Sequence, residues 1–105
     1  MANEHKMEYL LIPQPRDREI ILHYISKYEE KDRQALVDDY NEAWKLGIVG
    51  SHHQALMYYA LHVVFKRVFG KSPITFEDKV CLSLTDPISY ENDTWIYQEA
   101  NQRSE

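Results

Sequence analysis

A chain of 105 residues, 44% apolar and 28% charged, has room for one hydrophobic core and not for two. Its 17 acidic against 12 basic side chains leave a formal charge of −5, which disfavours nucleic-acid phosphates and anionic lipid as partners. Cys81 is the only cysteine, so no disulfide forms within the chain. The three glycines, Gly47, Gly50 and Gly70, are too few for a turn-rich all-β fold.

Residues 1–8 read as a polar, frayed lead, without the apolar stretch of a signal sequence. Tyr9-Leu10-Leu11-Ile12, stopped by Pro13 and Pro15, reads as an extended arm packed on the core, with a short strand as the rival. A first helix is expected over 16–28. Asp17 and Glu19 suit its positive end, and Ile20, Ile21, Tyr24, Ile25 and Tyr28 recur at helical spacing. A second is expected over 32–46, capped by Asp32, with Leu36, Val37, Tyr40, Ala43 and Trp44 inward. Gly47 is read as its stop, and Ile48-Val49-Gly50 as a short linker.

The third helix, 51–69, carries the clearest signals. Ser51 and Gln54 have capping-box spacing, Lys66 and Arg67 sit at the negative end, and Gly70 ends it. Leu56, Tyr59, Ala60, Val63 and Val64 form one apolar stripe; Met57, Tyr58, Leu61, Phe65 and Val68 form another. A helix apolar all round is buried on more than one side. Either it is the central helix of the domain, or its second face meets another chain. The longest apolar run, 55–61, is far short of the ~20 residues of a membrane span, so a soluble, cytoplasmic protein is expected.

The last third supports two readings. Ser72-Pro73 and the Thr75/Asp78 spacing resemble helix starts, and Phe76, Val80 and Leu84 fall four apart, which favours a helix. Val80, Leu82 and Leu84 alternate with Cys81, Ser83 and Thr85, as in a strand. Ser89 to Asp93 reads as a turn, and Thr94 to Ala100 as a short helix or strand, with Trp95 and Tyr97 docking the tail on the core. The fold class expected is mainly α: a small single-domain bundle of three helices with a C-terminal short helix, or a β-hairpin as the alternative.

No metal-ligand, phosphate-loop or catalytic motif is present, so neither a cofactor nor a metal is expected. His52 and His53 are adjacent on a helix and diverge by about 100°, too far apart for one ion, which leaves exposed polar residues or a pH-sensitive contact. Tyr58 and His62 share a helix face and can do acid–base work only beside a pocket. Cys81, among Val80, Leu82 and Leu84, reads as a small buried apolar residue. The acids between Glu29 and Glu42 read as a solvated face, and Lys66, Arg67 and Lys71 as partners of a helix C-terminus.

These features favour a non-enzymatic interaction protein, a homodimer or an adaptor for another protein. Its candidate interface is Met57, Tyr58, Leu61, His62, Phe65 and Val68, with the eight tyrosines as compositional support. A helix-turn-helix DNA binder opening its recognition helix with Ser51-His52-His53-Gln54 is the first alternative. A small enzyme built on Tyr58 and His62 is the second.

Overall fold

A computed structural model describes residues 7–10, 14–46, 51–77, 81–84 and 86–98. In chain order they form β1 (Met7–Leu10), α1 (Asp17–Glu29), α2 (Arg33–Leu46), α3 (His52–Phe69), β2 (Ile74–Glu77), β3 (Cys81–Leu84), β4 (Ile88–Glu91) and β5 (Thr94–Tyr97). The three helices lie where periodicity places them. Asp32 caps α2 by accepting the Ala35 N–H at 2.8 Å. Ser51 caps α3 by accepting the Gln54 N–H at 3.1 Å. Gly70 closes α3 at φ +79°, a left-handed conformation that costs glycine little. The expected stop at Gly47, the linker after it and the frayed tail at 102–105 lie outside the described residues.

The α1 ends fix its direction. Asp17 bonds His52 at the start of α3, and Glu29 bonds Arg67 near its end, at 2.6 Å. The two helices therefore run parallel. Helix α2 runs back between them in direction: Arg33 in its first turn lies over the Phe69 ring at the end of α3, 5.6 Å from the centroid.

The C-terminal third is stranded, which corrects the favoured helix and matches the hairpin alternative. β3 is the central strand of a three-stranded antiparallel sheet in the order β1-β3-β2. β4 and β5 form a separate hairpin. Ser72 does cap a backbone N–H, that of Ile74 at 3.1 Å, but it opens a strand. Thr75 faces Ser83 across β2 and β3, and their hydroxyls bond at 2.6 Å. Ser83 is thereby satisfied although it is buried. Met7 and Glu8, expected in the frayed lead, and Tyr9 and Leu10, expected in an arm, form β1 against β3. Residues 89–91, expected as part of a turn, lie in strand β4; the turn is Asn92-Asp93 alone, with φ +56° and +64°. Both residues at positive φ match a two-residue hairpin loop, and Asn and Asp tolerate that region.

Helix α2 holds this hairpin with polar side chains. Asn41 donates its amide to the Ile88 carbonyl at 2.8 Å and accepts the Ile88 N–H at 2.9 Å, standing in for a neighbouring strand. Tyr40 donates to the Asp86 carbonyl at 2.7 Å. Arg33 donates to the Asp93 carbonyl at 2.7 Å.

The core centres on α3. Ala55, Leu56, Ala60, Leu61, Val64 and Phe65 are buried, joined by Leu36, Val37 and Tyr40 of α2 and by Ile74, Leu82, Leu84, Ile88 and Trp95 of the strands. Of the expected core, Ile21, Tyr24, Trp44 and Val63 are only half-buried at its margin. Trp95 docks as expected: its indole N–H bonds the Lys71 carbonyl at 3.2 Å, and its ring meets Phe65 edge-on. Tyr97 docks only in part: it is 41% exposed, its ring meets that of Trp95 edge-on at 5.0 Å, and its hydroxyl turns to the Pro73 carbonyl at 3.4 Å.

Phe65→Ala should cost about 3–5 kcal/mol in urea unfolding, as for any large core ring; a loss within experimental scatter would place Phe65 outside the core. Asn41→Asp keeps the acceptor but loses the donor to Ile88, and should cost roughly 1–3 kcal/mol.

Candidate functional site

Helices α1 and α2, joined by the turn at residues 30–32, both rest on α3 and leave a groove between them. Tyr24, Lys27 and Tyr28 of α1, with Lys31 of the turn, form one wall of the resulting groove. Asp39, Glu42, Ala43 and Leu46 of α2 form the other, and Met57 and Tyr58 of α3 lie at its floor; the cavity holds about 330 Å³. Spacings of three and four put the wall residues in line on each helix.

Lys31 bonds Asp39 across the groove at 2.7 Å. Lys27 and Glu42 follow, each one helical turn along its own helix. Among the described residues Lys27 has no ion pair, and Glu42 has only a 4.0 Å contact with exposed Lys45. Further still Leu46 is 62% exposed, a large cost in hydration for an aliphatic side chain.

Three tyrosines give the groove amphipathic walls. Burial, helped by Asp39, pushes the Tyr28 phenol far above its ordinary range. Burial also raises Tyr58, partly offset by the amide that Gln54 donates to its hydroxyl at 2.8 Å. Both phenols are therefore neutral at physiological pH and serve as packing surface with a polar tip. The Gln54 side chain, expected to complete the capping box, makes this contact along the helix.

Of the six residues expected at an interface, Met57 and Tyr58 line the groove. Leu61 and Phe65 are fully buried inside the chain, and Val68 is half-buried against the core. The second apolar face of α3 is thus covered by α2 and the β4–β5 hairpin; Tyr58 is also buried, at 5% exposed, and Met57 is only half-buried. Leu46 and Lys27 were not singled out by sequence reading, and Glu42 entered it only as the end of an acidic stretch read as a solvated face. The signal for the first two is the 3–4 spacing they share with Ala43 and Tyr24, which amphipathicity alone does not mark as open.

His62 faces the opposite way. Its Nδ1 lies 3.0 Å from the Ser72 hydroxyl, and its ring packs near Tyr59 and Phe76. Burial lowers its pKa, opposed by the Ile74 carbonyl and assisted by Lys66. Tyr58 and His62 thus have different partners in different places, and the structure does not bring them together as an acid–base pair. His52 and His53 both bind α1: His52 Nε2 lies 2.9 Å from Asp17, and His53 Nε2 lies 2.9 Å from the Tyr24 hydroxyl. Neither ring extends freely from the start of α3. Cys81 supplies backbone to β3, and its thiol lies outside the described residues.

Two other hollows are present. One, of about 540 Å³, lies outside α1 against Leu22 and Tyr59, at the edge of Gln14 and Pro15. The other, of about 450 Å³, lies beside His62, Lys66 and Ser72. Among the described residues no group of three His, Cys, Asp or Glu is placed to hold a metal ion, and no helix is long and apolar enough to cross a membrane. No protein-family model, curated protein or solved structure matches the chain.

Asp17 is 4% exposed and accepts the Gln14 N–H at 2.8 Å. That bond first, and His52 second, hold its pKa below the ordinary 3.8. The unfolded chain therefore takes up this proton first as pH falls. The stabilisation is complete above about 3.8 and is lost as pH drops through the lower folded value. Asp17→Asn should be less stable than wild type at neutral pH, and the gap in Tm should close in acid; a gap constant with pH would contradict this. His62 resists protonation when folded, so its contribution is complete above 6.5 and fades as pH falls below it. His62→Gln should flatten the Tm profile between 6.5 and the lower folded value.

Proposed function

We propose that the chain is a non-enzymatic interaction module that receives an amphipathic helical segment of another protein in the groove between α1 and α2. The observation that carries this is an open, tyrosine- and methionine-lined groove whose lip holds the most exposed large aliphatic residue described, Leu46. Tyrosine and methionine are enriched at interface cores, and methionine adapts to varied partners. Two flanking helices with a third as floor are the shape that accepts an amphipathic helix.

The reading departs from a simple homodimer through the second face of α3, because Leu61 and Phe65 are occupied internally. It also differs from a DNA-reading role. The helix preceding α3 presents Asp38, Asp39 and Glu42, where a groove reader needs phosphate-neutralising cations. An acid–base role at Tyr58 lacks a partner base, since its hydroxyl is bound to Gln54.

Selection from a displayed library of amphipathic helical peptides should enrich binders that Leu46→Lys abolishes. The replaced side chain is exposed, so Tm should shift by no more than a surface substitution does, an equivalent of about 0.5 kcal/mol. A library that yields no binder, or binders indifferent to Leu46→Lys and to Met57→Gln, would contradict the proposal.

A further inference from the structure

We infer that the helix received by this groove carries opposite charges on its two flanks, acidic residues toward α1 and basic residues toward α2. The inference rests on the groove being a helix-docking site, and it adds the chemistry of the occupant.

The two walls carry opposite charges. Lys27 of α1 and Lys31 of the turn line one, and Asp39 and Glu42 of α2 line the other. Lys31 and Asp39 meet across the groove at 2.7 Å. Lys27 and Glu42 repeat the same signs on the same walls, and no ion pair joins them.

An occupant lying along the gap passes between Lys27 and Glu42. An entirely apolar helix would take water from both without replacing it, which is unfavourable. A helix with two acidic flanks satisfies Lys27 and repels Glu42; one with two basic flanks does the reverse. Only a helix with one acidic and one basic flank complements both walls while its apolar stripe rests on Met57, Tyr28, Tyr58 and Ala43. Its direction is set by the same rule, because turning it end for end exchanges the flanks. Rim charges of this kind act chiefly on partner choice and association rate.

Three fluorescein-labelled helical peptides with one shared apolar stripe test this by fluorescence anisotropy against the whole chain. One has an acidic and a basic flank, one two acidic flanks, one two basic flanks. The mixed-flank peptide should bind roughly fivefold tighter than either other at low salt, as expected for solvent-exposed pairs, and the margin should shrink as salt rises. Lys27→Glu should transfer the preference to the two-base peptide, and Glu42→Lys to the two-acid peptide. Equal binding of all three peptides by every variant would overturn the inference while leaving the docking groove standing. Absence of binding by all three at millimolar peptide would overturn the groove itself. Light scattering on the chain alone separates the remaining case: a dimer that Lys27→Glu dissociates would make the occupant a second copy, and would overturn the assignment to a separate helix.

Discussion

Between Ala55 and Phe65 helix α3 is apolar on nearly every side, and the rest of the chain is arranged by the need to cover it. Seven of its eighteen residues are buried, and they lie on more than one face. At about 25 cal/mol for each Å² of apolar surface removed from water, that covering dominates the stabilising side of folding. α1 lies parallel to it on one side, and α2 crosses back along another. β2 meets it through Phe76, whose ring lies 5.0 Å from that of Tyr59, and β5 meets it through Trp95 against Phe65.

Covering a cylinder with two short helices and two small sheets leaves a seam. It falls between α1 and α2. Lys31 and Asp39 bridge the seam. Half-buried Met57 and buried Tyr58 of α3 form its floor. The candidate site is thus a consequence of how the core is built. The same helix that organises the fold supplies the surface on which a partner helix can rest.

Much of this was legible in the sequence. Caps at Asp32, Ser51 and Gly70 are local chemistry, and the helices they bound are placed to within a residue. The strands were legible only as the rival reading, for two physical reasons. A spacing of four, as in Phe76, Val80 and Leu84, is one helical turn and also two strand repeats, so it does not discriminate. Pairing of Met7 with Leu84 joins positions at opposite ends of the chain, and no local pattern reports such a contact. The scarcity of glycine misled as well, since the β4–β5 turn takes its positive φ angles from Asn92 and Asp93. At the site, the doubly apolar α3 was read correctly as needing cover on two faces. How that second face is covered depended on where α2 and the hairpin land, and that is set by Asn41 and Tyr40 reaching carbonyls of the distant segment from Asp86 to Ile88.

The claim on which everything else rests is that α3 is covered by its own chain. Native-state hydrogen exchange read at the α3 amides tests it most directly, because exchange of the most protected amides reports opening of the whole fold. The amides of Leu56 to Phe65 should be among the slowest in the protein, and their protection should not change on dilution. Protection that falls as the protein is diluted would show that a second chain covers α3, and would contradict the account.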